Sequence, residues 1–261
     1  MSKYLILGAA GLLGSAFRKS KYFIDNIGLD SVQCDITDYD IVENHIKTIS
    51  PEVIINCAAY TNVDKAEIEK EKALAVNSEA VKNLAYLTNK YSIKLVHFST
   101  DYVFKGDKEI YYNETMKPDP VNFYGYSKML GEEYVQDLDK NALIIRVSWL
   151  YGEDGKNFIS HIFNHISDLK EIKIVHDQYS KVTYSMDAVM ACKKMLEHNC
   201  KGVYHFANDE IISRYEFAIR LKNEKHAGCD VIPIHADEIK CLAVRPKWSM
   251  LDVRKYGGGV T

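Results

Sequence analysis

The sequence predicts an α/β fold, a doubly wound parallel sheet with helices on both faces and a small C-terminal α/β lobe. Three observations predict it. Apolar runs alternate with amphipathic stretches through the first half of the chain, the pattern of strands buried on both faces and of the helices that cover them. A turn carrying Gly8, Gly11 and Gly14 follows the first apolar run and opens the first amphipathic stretch. Beyond Trp149 the alternation loosens and the apolar runs shorten.

The elements follow in order. Tyr4 to Leu7 reads as a buried strand and Leu12 to Lys19 as a helix. Val53 to Asn56 is a second apolar run. Ala73 to Lys90 is long, amphipathic and free of Gly and Pro, so it predicts a helix. Leu95 to Ser99 reads as a strand, followed by a polar loop through Pro120. Tyr124 to Asp137 reads as a helix and Leu143 to Val147 as a strand. In the second part, Phe158 to Ile166, Asp187 to His198 and Tyr215 to Lys222 read as helices. Ile172 to Val175 and Val203 to Phe206 read as short strands there. No internal repeat or low-complexity tract interrupts the pattern.

A chain of 261 residues fits one large domain or two unequal lobes. The net charge of −3 gives no reason to expect nucleic acid or an anionic membrane as a partner. No apolar run approaches the roughly 20 residues of a membrane span, and the N-terminus lacks the pattern of a signal peptide. The six cysteines show no C-x-x-C spacing and no nearby histidine at ligand spacing. They read as small buried hydrophobes in a cytoplasmic protein, and no metal site is expected. The nine histidines are scattered. His97 lies within a strand pattern and reads as structural, and the mixed charges from Lys65 to Lys72 read as a solvated face near a helix start.

The glycine turn points to a dinucleotide. Gly8 permits a tight turn, Gly11 lets backbone approach a pyrophosphate, and Gly14 lets helix pack close to strand. The amides of Leu12, Leu13 and Gly14 then sit at a helix N-terminus, where phosphate charge is favoured. This Rossmann-type reading places further residues at the coenzyme. Asp30 follows a weakly apolar stretch, where an acid accepts hydrogen bonds from the adenosine ribose and favours NAD. Arg18 or Lys19 can instead reach a 2′-phosphate, so NADPH and NADH both stand. Asp35, Ile36, Cys57, Ala58 and Ala59 follow apolar runs and are expected to line the adenine and pyrophosphate sites.

Tyr124 and Lys128 lie one helical turn apart. A free tyrosine has a pKa of about 10 and is a poor acid–base group near neutrality. A lysine ammonium on the same face is expected to stabilise the phenolate and to bond the nicotinamide ribose. Thr100 ends its strand where ligands of open α/β sheets bind, and is expected to hydrogen-bond a substrate carbonyl. Trp149, between a strand end and a polar loop, is expected to line the pocket.

Longer segments carry a resemblance. Ile55-Asn-Cys-Ala-Ala-Tyr-Thr-Asn-Val-Asp-Lys-Ala-Glu67, Ala75-Val-Asn77, Ser99-Thr-Asp-Tyr-Val-Phe104, Tyr124-Gly-Tyr-Ser-Lys128 and Arg146-Val-Ser-Trp-Leu-Tyr-Gly152 are its core. Gly155-Lys-Asn-Phe158, Asp177-Gln178 and Arg245-Pro246 with Ser249 extend it. The chain resembles the extended short-chain dehydrogenase/reductases and, within them, the dTDP-4-dehydrorhamnose reductase family. The resemblance implies a Rossmann domain over residues 1–148 and a smaller substrate lobe over 149–261, with helix 187–198 returning to the first. It implies NAD(P)H-dependent reduction of the 4-keto group of a nucleotide-linked 6-deoxyhexose, most simply dTDP-4-dehydro-L-rhamnose, for surface polysaccharide. Thr100, Tyr124 and Lys128 become the catalytic set. Tyr60 and Asn77 sit by the coenzyme, and Asp101, Tyr102, Val103, Phe104, Trp149, Asn157 and Arg245 face the sugar nucleotide.

Residue 102 chooses among sugar-nucleotide reactions. Related 4,6-dehydratases carry Thr-Asp-Glu, whose Glu is the base at C5. This chain has Tyr102 there, which favours simple reduction. Nor does the 99–104 segment carry the cysteine of epimerase-reductases of the GDP-fucose type. Where the family often reads Asp-Gln-x-Gly-x-Pro-Thr, this chain reads Asp177-Gln-Tyr-Ser-Lys-Val-Thr183, which leaves the sugar and nucleotide open. A reductase of a UDP-linked amino-deoxyhexulose, and a non-catalytic coenzyme-binding subunit like that of methionine adenosyltransferase, are the alternatives. A homodimer is left open.

Overall fold

Each apolar run of the first half becomes a parallel strand. The computed structural model describes residues 3–154 and 157–257, so Gly155 and Lys156 of the motif at 155–158 lie outside the described residues. β1 (Tyr4–Leu7) enters the glycine turn and α1 (Leu12–Lys19). β2 (Asn26–Leu29) and α2 (Tyr39–Ile49) follow, then β3 (Val53–Asn56). The expected helix over 73–90 is in three parts: α3 (Val63–Ala66) precedes α4 (Lys70–Leu74), a π turn spans Ala75–Glu79, and α5 (Ala80–Lys90) completes it. β4 (Lys94–Thr100), α6 (Phe123–Leu138) and β5 (Leu143–Val147) close the first half.

Short strands β6 (Leu150–Tyr151), β7 (Glu171–Val175), β8 (Tyr179–Lys181) and β9 (Thr183–Tyr184) come next, with α7 (Phe158–His165) after β6. Then come α8 (Ser185–Glu197), β10 (Gly202–Phe206), β11 (Ile211–Ser213), α9 (Arg214–Glu224) and β12 (Asp230–Ile234).

The main sheet has six strands in the order β10-β5-β4-β3-β1-β2, every pairing parallel. The chain moves outward from β1 to β2 and then crosses to β3 on the other side, so the switch point lies between β1 and β3, where ligands of such sheets bind. One face packs Phe17, Phe98, Ile145 and Phe206 with Val189 and Met195 of α8. The other packs Leu5, Ile54 and Leu95 under Ile46 and Leu84. α8 thus lies on the sheet beside α1. The run Val203–Phe206, read from sequence as part of the smaller lobe, is instead the edge strand of the main sheet, in register with β5 from Gly202↔Leu143 to Phe206↔Val147.

A separate apolar cluster joins Ile162, Ile174, Val182, Phe217 and Leu221 under Trp149. From this lobe the chain runs back across the first half. Asp64 Oδ1 accepts from the Leu242 and Ala243 amides (2.9 and 3.0 Å), and Asn122 Nδ2 donates to the Val244 carbonyl (2.8 Å). The Lys247 and Trp248 amides both donate to the Gly106 carbonyl, and Tyr112 exchanges backbone bonds with Met250 and Asp252. Among the described residues no helix is long and apolar enough to cross a membrane.

Candidate active site

The glycine turn lies against the loop that leaves β3. Gly8 has φ +75°, and a Cβ there would stand 2.6 Å from the Ala58 backbone. Only glycine permits both the left-handed backbone and this approach. Gly11 caps α1 without any side-chain bond, which leaves the first-turn amides open to an anion. Cys57, Ala58, Ala59 and Tyr60 form the facing wall and are half-buried. The Tyr60 hydroxyl is buried with no hydrogen-bond partner among the described residues.

Asn77 sets the position of that wall. It sits in the π turn, a helix irregularity common at functional sites. Its Oδ1 accepts from the Tyr60 amide (2.9 Å), and its Nδ2 donates to the Tyr60 carbonyl (3.0 Å) and to Ser127 Oγ (2.9 Å). Ser127 Oγ donates in turn to the Tyr124 carbonyl (2.8 Å). One carboxamide therefore ties the loop after β3 to the helix carrying Tyr124 and Lys128.

α6 begins at the Asn122 cap, which accepts from the Gly125 amide (2.8 Å). A Cβ on Gly125 would stand 2.1 Å from the Tyr102 carbonyl, so a glycine here lets the first turn of α6 lie on the end of β4. Glu67 accepts from the Phe123 amide (2.8 Å), so one member of the charge run fixes this helix start. Tyr124 then packs edge-on to Tyr102 (5.9 Å between ring centres) and faces the Thr100 hydroxyl. Burial pushes the Tyr124 phenol up. Thr100 opposes this, while Asp101 and Tyr102 add to it.

The expected pairing of Lys128 with the Tyr124 phenol is not the one observed. Lys128 is 2% exposed, and its Nζ donates to the Phe98 carbonyl (2.7 Å) and meets His97 Nε2 (3.3 Å). Burial pushes Lys128 down to about 8, against the Glu132 charge. The phenol is therefore kept as a proton carrier by desolvation, and Thr100, not Lys128, favours its ionised form.

Asp101 is 2% exposed. Its Oδ1 accepts from Thr100 Oγ1 (3.1 Å), and its buried Oδ2 has no hydrogen-bond partner among the described residues. Burial pushes this carboxyl up to about 6, opposed by the Ser249 and Thr100 hydroxyls and the Arg214 charge. Trp149 is 9% exposed with φ +39°, a backbone region that costs a bulky residue energy and clusters at functional sites.

Arg214 carries no motif that marks it in the sequence. Its guanidinium lies 4.5 Å from the centre of the Trp149 ring and donates to Gln178 Oε1 (3.1 Å) and to the Tyr102 hydroxyl (3.3 Å). A local signal existed. Ser213 and Glu216 form a capping box, which puts Arg214 in the first turn of a helix, where the macrodipole disfavours a cation unless another group holds it.

Other expected contacts fall elsewhere. Val103 and Phe104, expected to face the sugar nucleotide, are buried with Tyr112 and Leu251, and Phe104 stacks on Tyr112 (4.6 Å) beneath the Arg146 guanidinium (5.0 Å). They are packing residues, because the turn after β4 places both in this apolar cluster. Asn157 spends its side chain on the cap of α7, accepting from the Ser160 amide and donating to the Leu150 carbonyl (2.8 and 2.7 Å). Arg245 pairs with Asp64 in the returning segment. Ile36 is buried under α2. Asp30 Oδ1 accepts from the Val32 and Gln33 amides (2.9 and 3.0 Å), and Asp35 Oδ1 accepts from Thr37 (2.9 Å to its amide), so both aspartates shape turns. Lys19 pairs with Asp154 (2.7 Å), whereas Arg18 lies over Gly28 at the end of β2. The two departures at 180 and 182 are interior. Ser180 donates to the Ser249 carbonyl (2.9 Å) and receives from its hydroxyl (3.0 Å), and Val182 joins the lobe's core.

The RmlD substrate binding domain family matches residues 2–258. The chain belongs to this family. It is 36% identical over 272 residues to a dTDP-4-dehydrorhamnose reductase of Aggregatibacter actinomycetemcomitans, covering 98% of this chain and 92% of that protein. It is 33% identical to the spore coat polysaccharide biosynthesis protein SpsK of Bacillus subtilis, covering 97% and 90%. Among solved structures, the dTDP-4-dehydrorhamnose reductase of Bacillus anthracis in complex with NADP superimposes with a TM-score of 0.93 at 35% identity, covering 99% of this chain and 94% of that one. That superposition takes in both the parallel sheet and the lobe that follows it.

Proposed function

We propose that this protein reduces the 4-keto group of dTDP-4-dehydro-L-rhamnose, forming dTDP-L-rhamnose at the expense of NADPH or NADH. The observation that carries the reading is the half-buried Tyr124, whose desolvated phenol faces Thr100 at the carboxyl end of β4, with a tyrosine rather than a carboxylate at position 102. The relatives' activity and the NADP in the Bacillus anthracis structure support it.

The residues fit the coenzyme. The Gly8–Gly14 turn, the α1 amides of Leu12 and Leu13, the Cys57–Tyr60 wall and Lys128 would hold it. Bound NADPH or NADH supplies the hydride that reaches C4. Thr100 hydrogen-bonds the C4 oxygen, and Tyr124, kept protonated by burial, delivers its proton there. Arg214 and Trp149 form the wall for the sugar nucleotide, and the orphaned Oδ2 of Asp101 accepts a hydrogen bond from a sugar hydroxyl. No carboxylate at 102 is available to take a C5 proton, so reduction ends the sequence.

Purified protein given dTDP-4-dehydro-L-rhamnose should consume the reduced coenzyme, followed by its absorbance. Absence of turnover with this and with every related 4-keto sugar nucleotide would sink the assignment.

A further inference from the structure

His97 is fully buried on β4 and takes no part in the reduction just described. Its ring nevertheless touches the candidate lysine, and its hydrogen-bond partners determine which of its nitrogens carries the proton. The Ala58 amide donates to Asn56 Oδ1 (3.1 Å). An amide N–H can only donate, so it pins the carboxamide with its NH2 turned toward His97 Nδ1 (3.1 Å). An NH2 also only donates, so Nδ1 is the accepting nitrogen. Burial holds the imidazole neutral, and a neutral imidazole has one hydrogen, which therefore sits on Nε2.

That hydrogen points at Lys128 Nζ, 3.3 Å away. A neutral amine accepts it with its lone pair while still donating to the Phe98 carbonyl at 2.7 Å. An ammonium has no lone pair and would meet the N–H head-on. The other titratable groups facing Lys128 are Glu132 on its own helix and Cys57 beyond β3, whose ionised forms favour the ammonium. Glu132 is already bound to Arg146 (2.6 Å), and burial keeps Cys57 a thiol.

We propose that Asn56 and His97 are positioning residues that lock the imidazole as its Nε2–H tautomer and thereby stabilise the proton-accepting amine of Lys128 relative to its ammonium in the coenzyme-free protein. The same chain of bonds runs from Lys128 through His97 and Asn56 to the Ala58 amide, so the ionisation of the lysine and the placement of the wall after β3 are parts of one network. This rests on the reductase reading only in giving Lys128 a task at the coenzyme.

The test uses coenzyme-free protein and needs no substrate. Long-range nitrogen–proton NMR spectra of the histidines report the His97 tautomer directly. An unprotonated Nδ1 with a protonated Nε2 is expected, and a protonated Nδ1 overturns the proposal without any variant. Lysine labelled at Cε, with the Lys128 signal assigned by its loss in Lys128→Met, then gives the titration midpoint. In Asn56→Asp a carboxylate accepts from Nδ1–H and reverses the tautomer, and in His97→Gln the side-chain oxygen can turn to Nζ. Both should raise the Lys128 midpoint by roughly one pH unit or more. Midpoints unchanged in both folded variants overturn the proposal. Absence of reductase turnover with the expected tautomer removes the proposed function alone, and a wrong tautomer in an active reductase removes this inference alone.

Discussion

The carboxamide of Asn77 grips both backbone groups of Tyr60, at 2.9 Å from the amide and 3.0 Å from the carbonyl. Two bonds from one side chain fix the distance and the rotation of the wall opposite the glycine turn. Asn77→Ala removes both together with the link to Ser127. Each such bond contributes about 1 kcal/mol, so coenzyme binding should weaken roughly tenfold or more. Fluorescence titration of the reduced coenzyme measures this, and unchanged affinity would show that the wall does not need the clasp.

Tyr124→Phe keeps the ring that packs on Tyr102 and removes only the hydroxyl. Turnover should fall by roughly 10²–10⁴-fold, the usual contribution of a positioned general acid, while coenzyme affinity holds. A variant that turns over normally would take Tyr124 out of the reaction.

Arg214→Ala removes the guanidinium held against Trp149, Gln178 and Tyr102. The KM for the sugar nucleotide should rise about tenfold or more, the cost of losing a charged hydrogen-bond donor, and coenzyme affinity should not move. Steady-state kinetics with each substrate varied in turn separate the two effects.

Asp101 links pH to stability. Its carboxyl ionises near pH 3.8 when unfolded and about 6 when folded. Between these values the folded state holds the extra proton, so stability falls as pH rises through the window and the cost is fully present above it. Asp101→Asn cannot ionise. The variant should gain stability relative to the parent from pH 4 to pH 7, by up to about 3 kcal/mol at the top of that range. Thermal unfolding at both ends checks the direction, and a gap that narrows with rising pH would contradict it.

Glu132 and Arg146 form an ion pair between α6 and β5, with side chains 1% and 2% exposed. Glu132→Gln leaves the guanidinium buried beside His205 without its counter-charge. Removing one member of such a pair costs about 3–5 kcal/mol, which urea unfolding should register as a lower midpoint.

The local parts of this architecture were legible in the amino-acid sequence. The Tyr4–Leu7 strand, the glycine turn, the Leu143–Val147 strand and the Tyr124/Lys128 spacing all depend on neighbours within a few residues. β2 escaped because Asn26-Ile-Gly-Leu29 is short, half-exposed and at the sheet edge. β10 reads with the smaller lobe because its parallel pairing with β5 is a contact between distant segments, invisible to periodicity. The motif at 99–104 does not say which side chains turn inward, so Val103 and Phe104 read alike with Asp101 and Tyr102 in the sequence although they pack with Tyr112 and Leu251. Arg245 and Asn157 matched a pattern and proved to be bound to Asp64 and to a helix cap. His97 read as structural because nothing in its strand pattern shows that Lys128 will come to lie against it.

The segment that returns from Leu242 to Asp252 lies later in the chain than everything it fastens in the coenzyme half: Asp64, Gly106, Tyr112 and Asn122. It therefore emerges from the ribosome after all of them. The glycine turn, Asn77 and the Tyr124 helix are thus synthesised before Ser249 and the residues that meet Asp64, so the last stretch of the chain fastens parts that were all made before it.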